Sequence, residues 1–432
     1  MTQQKIGFWT STSLVMGNMI ASAMFMLPAA LASFGSISLI GWLVSGAGAL
    51  CLALVFSWLS QIMPLANGGP YAYTREGLGD FAGFLVGWGY WISVWSTNGA
   101  IAVAFISYLT IFFPVLGANA YYAVAVGLAS IWLLTWINTH GLRQAGAVQL
   151  VTTVLKIAPL VLVTVGGAFF IQPENYQPFN SSGTSNLSAI TSTATLTLFA
   201  FMGLECATIP SGSVENAGKT IARATLVGTL AVTILYVLGT VVIMGILPPE
   251  VLKNSKAPFA DAATHVWGDW AGYVVAAGAV ISTFGALNGW IIMQGQVPAA
   301  AAADRLFPAV FGKLNKRGAP VLSLVISSSL ISVLLFMNFS RSLADTYQFI
   351  ILISTMTVLV AFLFSSIAYL ILAARSRDAR WRQPWKLGLA IIAFSYSLWA
   401  VAGSGQEAVY WGFLLLIAGV PLYGFSKIAR MS

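Results

Sequence analysis

The sequence predicts an all-α membrane protein with twelve transmembrane helices, and three observations predict it. Of the 432 residues, 58% are hydrophobic and only 7% are charged, where a soluble domain carries about a quarter charged residues. The apolar residues gather into runs of the length that crosses a bilayer, about 20 residues of helix. The connections between the runs are mostly short, which leaves no room for a separate soluble domain.

Taken in order, the first span covers roughly 7–33. It is too long for a cleavable signal and lacks a basic leader and a small-residue cleavage site, so it is expected to stay in the membrane. Spans follow at roughly 36–62, 80–113, 120–139 and 146–171. The stretch around Gln172–Leu187 contains NSSGTSN and is expected to be a plain external linker. Further spans lie at roughly 189–213, 220–247, 263–297, 319–338, 344–373, 384–404 and 409–427. The third, eighth and tenth exceed a minimal span, so tilt or a protruding helical end is expected. Between the eighth and ninth, PAAAAADRLFP at 298–308 suggests a short surface helix between two prolines, because Ala is the best helix former.

The net charge of +8 would suggest nucleic acid or acidic partners in a soluble protein. Here topology accounts for it. With the N-terminus inside, sixteen Lys and Arg fall in cytoplasmic loops and tails, against Lys253, Lys256 and Arg341 outside. That bias puts both termini in the cytoplasm, and no nucleic-acid partner is expected. The remaining basic residue, Lys156, lies inside a span. Cys51 and Cys206 both sit in apolar segments, and His140 and His265 at span ends, so neither a disulfide framework nor a metal site is expected. No cofactor is implied.

Two spans look built to break. Residues 17–28 read GNMIASAMFMLP, with Gly17, Asn18, Ser22 and Pro28 inside the first span. Residues 199–213 read FAFMGLECATIPSGS, with Gly203, Glu205, Pro210 and Gly212 inside the sixth. If spans one to five and six to ten are two repeats, each repeat opens with an interrupted helix, the best sequence pointer to a transporter's binding site. Unwinding a helix in lipid frees N–H and C=O groups that cost several kcal/mol each if unpaired. A half-helix N-terminus suits a carboxylate, and unwound carbonyls can accept from an ammonium. Two such breaks side by side suit an α-amino acid; a pair of packing kinks is the alternative.

Several motifs, in one order along nearly the whole chain, then carry a family resemblance: GNMIASAMFMLPAALAS at 17–33, NGGPYAY at 67–73, YWISVWSTN at 90–98, FAFMGLE at 199–205, GALNGW at 285–290, AAADRLFP at 301–308 and GSGQEAVYW at 403–411. The chain resembles the amino acid–polyamine–organocation superfamily, and within it the basic amino acid/polyamine antiporters. The resemblance implies an inverted five-plus-five helix repeat with discontinuous first and sixth helices and two extra helices. The first repeat would be 1–171, the second 189–373, and the extra helices with the tail 384–432. A homodimer is one assembly open to such a chain.

Carried over by position, the resemblance implies a carboxylate site at Ser22 and the backbone around Ala23. The Met19 carbonyl would take the amino group, with carbonyls near Phe199 and Met202. Trp290 matches the tryptophan on which the family stacks the cationic end of its substrate, a contact worth roughly 0.5–2 kcal/mol. Asn98, Ser93 and Ser354 match polar groups at the side-chain end, and Tyr90 and Phe199 match aromatic gates. Two departures bear on the substrate. The family's Gly-Ser-Gly is Ala21-Ser22-Ala23 here, which crowds the backbone and discourages the positive φ that Gly permits. The gate expected to be Trp is Phe199.

Glu205 is the one acid well inside a span, and an intramembrane ionisable group is a functional candidate by default. It matches the family's proton-responsive glutamate; a protonated carboxyl bonded to a neighbouring helix is the alternative. Lys156, in TTVLKIAPLV, lies about 15 Å along the fifth span. Proton-coupled relatives carry such a lysine, whose ammonium stands in for a sodium ion. Both are candidates for proton coupling. Tyr90, Val94, Asn98 and Ile101 share one helical face.

With these readings, the resemblance implies a secondary transporter, expected to exchange an amino acid for a related one or for its decarboxylated amine by alternating access in a bacterial inner membrane. The alternative is a proton-coupled symporter or uniporter of neutral amino acids, suggested by Lys156, Ala21 and Ala23. A membrane-embedded enzyme would want clustered His, Cys or carboxylates inside spans, and a channel would want filter repeats or charge rings. Neither pattern is present in the sequence.

Overall fold

The computed structural model describes residues 7–64, 66, 68–140, 157–209, 211, 214–338 and 340–431. Among these the regular elements are helices, with no β-strand. Ten helical segments are long and apolar enough to cross a membrane, and Ile157–Phe170 and Val321–Met337 are shorter apolar helices.

In chain order the helices are α1 (Phe8–Met19), α2 (Ala23–Ala32), α3 (Ser38–Ile62), α4 (Pro70–Leu78), α5 (Asp80–Leu109), α6 (Val115–Ala118) and α7 (Ala120–Thr139). Then come α8 (Ile157–Phe170), α9 (Asn186–Leu198), α10 (Ala217–Ile246), α11 (Pro249–Lys253), α12 (Pro258–Trp267) and α13 (Asp269–Ala303). The chain ends with α14 (Val321–Met337), α15 (Leu343–Arg375), α16 (Pro384–Gly403), α17 (Gln406–Ile417) and α18 (Val420–Met431). Lys156 lies outside the described residues.

The centre is built on α5, which is almost wholly buried. It packs chiefly against α13 and α15, while α10 packs on α3 and α1. The interior is a large apolar core, including Phe25, Trp42, Phe56 and Leu287, with buried Ser, Thr and Asn side chains set into it, while the outer faces are apolar as well. Trp9, Leu43, Trp136, Phe169, Trp270 and Phe425 are among the large side chains left exposed.

Three sequence expectations need correction. The segment 298–308 does not form a separate surface helix: α13 runs through Pro298 to Ala303. Proline removes one hydrogen bond and leaves the carbonyl four residues back unpaired. That carbonyl belongs to Gln294, and the Ser327 hydroxyl, which donates to the Ser323 carbonyl at 2.8 Å, shares its hydrogen with it at 3.2 Å. The helix therefore continues, and stops only where Arg305 turns to φ 61°.

The second correction concerns 172–187, which is a packed strap rather than a plain linker. Gln172 N–H and Asn175 Nδ2 donate to the Gly245 carbonyl at 2.8 and 2.9 Å, and the Tyr176 hydroxyl to Val241 at 2.9 Å. The Gly245 carbonyl is among the last of α10, which lack helical partners, and the strap supplies its donors. The third concerns 263–297. The chain forms two helices there, α12 and α13, divided at Gly268 with φ 88°.

Candidate functional site

The first interruption is three residues long. α1 stops at Met19, where the Ile20 N–H still reaches the Met16 carbonyl at 2.8 Å. α2 begins at Ala23 with Ser22 as its N-cap, and no side-chain cap bond is made. Among the described residues, the N–H groups of Ser22, Ala23 and Met24 have no backbone acceptor. They are the unpaired donors that any helix start leaves over. The expected conflict between Ala21, Ala23 and a positive φ does not arise, because the break is made with φ negative throughout.

The second interruption is longer. α9 gives way at Phe199–Phe201 to a tighter helical turn, Met202 is extended at ψ 135°, and Gly203 turns to φ 101°. The two breaks touch. A Cβ placed on Gly203 would lie 3.1 Å from Asn18 Cβ and 3.3 Å from the Met19 nitrogen. Glycine is required there on both counts, conformation and space.

Side chains from four helices converge on this contact. From α13, Trp290 Nε1 donates to the Asn18 carbonyl at 3.2 Å. From α10, the Tyr236 hydroxyl donates to the Met19 carbonyl at 2.6 Å. From α15, the Tyr347 hydroxyl donates to Ser22 Oγ at 3.2 Å, and its ring meets Phe199 edge-on at 6.2 Å. From α5, the Tyr90 hydroxyl donates to Glu205 Oε1 at 2.7 Å. Gly203 N–H reaches the same oxygen at 3.3 Å, while Glu205 Oε2 is buried without a partner.

The predicted residues divide into two clusters. Met19, Ser22, Ala23, Tyr90, Phe199, Met202, Glu205 and Trp290 surround the breaks. Ser354 belongs with them, because its hydroxyl pairs with Thr97 at 2.7 Å, donates to the Ser93 carbonyl at 2.8 Å and touches the Met202 sulfur at 3.6 Å. Ser93 turns its own hydroxyl back on the Tyr90 carbonyl. Asn98 sits in a second polar cluster, with Nδ2 donating to Gln294 Oε1 at 2.7 Å. All the described candidates are buried.

Some expected acceptors already have partners. The Phe199 carbonyl takes the Met202 N–H at 3.1 Å, and the Met19 carbonyl has one of its two lone pairs engaged by Tyr236. Tyr236, Tyr347, Thr97 and Gln294 escaped the sequence reading. Gln294 was within reach of it, standing one turn beyond Trp290, and Tyr347 stands two turns before Ser354 on α15. Nothing in the local sequence singles out Tyr236.

Apolar helices that bury hydroxyls, amides and one carboxylate around two touching interruptions define a polytopic membrane transporter. A family profile described as amino acid permease matches residues 6–420, and the chain belongs to that family. It is 34% identical over 335 residues to the cadaverine/lysine antiporter of Escherichia coli (strain K12), covering 77% of this chain and 75% of that one. It is 31% identical over 445 residues to the arginine/ornithine antiporter of Pseudomonas aeruginosa, covering 99% and 92%. The putrescine transporter of Haemophilus influenzae is 31% identical over 422 residues, covering 98% and 97%.

Proposed function

We propose that this protein exchanges an amino acid, cationic ones included, for a related amino acid or its decarboxylated amine by alternating access. One observation carries the reading: the two interruptions meet at Asn18, Met19 and Gly203, inside a shell of buried polar and aromatic side chains. The unpaired N–H groups at Ser22–Met24 suit a carboxylate, and the carbonyls of Met19 and Met202 suit an ammonium. Trp290, Asn98, Ser93 and Ser354 take the side-chain end. Tyr90 and Phe199 gate the site, and Glu205 and Lys156 are the candidates for proton coupling. Relatives named for arginine/ornithine and cadaverine/lysine antiport support both the substrate class and the mode.

In this reading α8 and α14 are the fifth and ninth of twelve spans. Residues 1–171 and 189–373 are inverted repeats and 384–432 an appended pair of helices. The membrane is, in this reading, a bacterial inner membrane, and the excess of Lys and Arg on one side supports both termini in the cytoplasm. A proton-coupled symporter or uniporter of neutral amino acids is the second reading, favoured by Ala21 and Ala23 at the break.

Counterflow from proteoliposomes loaded with labelled lysine, arginine, ornithine or putrescine separates them. External substrate should accelerate release of label. Release at the same rate with and without external substrate rejects exchange.

A further inference from the structure

Gln294 stands four residues after Trp290 on α13 and is wholly buried. Its two polar atoms have fixed jobs. Nε2 donates to the Leu324 carbonyl at 3.5 Å and to Ser328 Oγ at 2.9 Å, and Ser328 is in turn bonded to Thr135 at 2.6 Å. A carbonyl can only accept, so the Leu324 contact decides which end of the amide is nitrogen. Oε1 is thereby left for Asn98 Nδ2, at 2.7 Å.

The backbone is held as well. The Ser327 hydroxyl reaches the Gln294 carbonyl freed by Pro298 at 3.2 Å while donating to Ser323 at 2.8 Å, and Trp91 Nε1 holds Ser327 at 2.8 Å. With Asn98 oriented from behind, its Oδ1 is buried with no partner. Asn98 lies two turns along α5 from Tyr90, which bonds Glu205 beside the breaks. A buried amide oxygen without a donor is costly unless a ligand supplies one.

We propose that Gln294 is a positioning residue for substrate selection. It binds the amide nitrogen of Asn98 and so turns the Asn98 carbonyl oxygen toward the substrate, as acceptor for an N–H donor at the substrate's side-chain end. The inference rests on the amino acid/amine reading above. Without Gln294 the Asn98 amide is free to rotate and present its NH₂ group to a substrate ammonium, which it repels. Selection for a terminal nitrogen is then lost, while the α-amino acid end, held at the breaks, is unaffected.

The test uses the full-length protein in proteoliposomes, with lysine as substrate and norleucine, which lacks only the terminal amine, as competitor. Gln294→Met is expected to raise KM for lysine at least about tenfold, the loss of one charge-assisted hydrogen bond. Its kcat and its inhibition by norleucine stay within about twofold of wild type. In an Asn98→Leu background, Gln294→Met should add nothing, because the two act through one contact. Equal weakening toward lysine and norleucine, an unchanged KM for lysine, or additive effects of the two substitutions each overturn the proposal. If Gln294→Met does not purify as a folded protein, Ser328→Ala is measured in its place. It should raise KM for lysine in the same direction by less, and no rise overturns the proposal. Wild-type protein that exchanges no amino acid or amine refutes the functional reading itself. Wild-type exchange with an unaltered Gln294→Met refutes only the positioning role.

Discussion

Trp290 directs its single N–H at the carbonyl of Asn18, one of the acceptors released where α1 stops. Both groups are buried, so Trp290→Phe leaves an acceptor without that donor, at a cost of about 1–3 kcal/mol. The expected outcome is a lower melting temperature in detergent, together with weaker binding of cationic substrates. A melting temperature equal to wild type would mean that the bond contributes nothing. Trp290 was legible in the sequence because it sits mid-span beside Asn288 and Gly289, away from the interfaces where tryptophan gathers. Its partner was not legible, since which carbonyl faces it depends on how α13 crosses α1. The same holds for Tyr236, a lone tyrosine in an apolar run that proves to cap Met19. Asn98 was chosen for its place on the Tyr90 face, but its bond to Gln294 depends on the register between two long helices.

At the scale of the element, the two interruptions were legible through Ser22 and Gly203, which fall in them, whereas Gly17 and Asn18 lie in α1 and Pro28 lies inside α2. How each break is made was not legible. The Ala21-Ser22-Ala23 motif suggested strain, yet the chain passes through it without positive φ. Ala21→Gly, although it restores the family's pattern, should therefore destabilise, by about 0.4–1 kcal/mol, because glycine frees the unfolded chain and relieves nothing in the folded one. A rise in melting temperature would show that the alanine methyl is crowded after all. The reverse substitution at the second break should be far worse. Gly203→Ala holds a Cβ at φ 101° and presses it on Asn18, for about 1–3 kcal/mol of backbone strain alone. Loss of transport activity beside a melting temperature about 1–3 °C lower, the shift that this strain gives in a chain this long, is the expected pair of measurements. Continuation of α13 through Pro298 was illegible for a related reason. The hydroxyl that rescues the Gln294 carbonyl comes from Ser327, on another helix.

Across the whole molecule, hydropathy made the spans legible and left the contacts at their ends out of sight. One such contact joins three charged side chains where α4, α5 and α18 meet. Asp80, at the start of α5, accepts from Arg75 Nε of α4 at 2.9 Å and from Lys427 Nζ of α18 at 3.1 Å. The triad keeps its three charges from about pH 5 to about pH 9, between the ordinary carboxylate and ammonium ranges. It is exposed to water and salt, so its contribution to global stability is small; its effect is local, tying α18 to α4 and α5. Asp80→Asn should speed amide exchange in α18 yet leave the shape of the transport–pH curve between pH 5 and 8 unchanged. Glu205, a buried carboxylate with one oxygen on Tyr90 and one without a partner, is the described group whose neutral replacement should alter that curve. Glu205→Gln is expected to flatten it, while keeping an acceptor for the Tyr90 hydroxyl. If Asp80→Asn flattens the curve and Glu205→Gln does not, proton response belongs to the ends of the helices rather than to the place where the two broken ones meet.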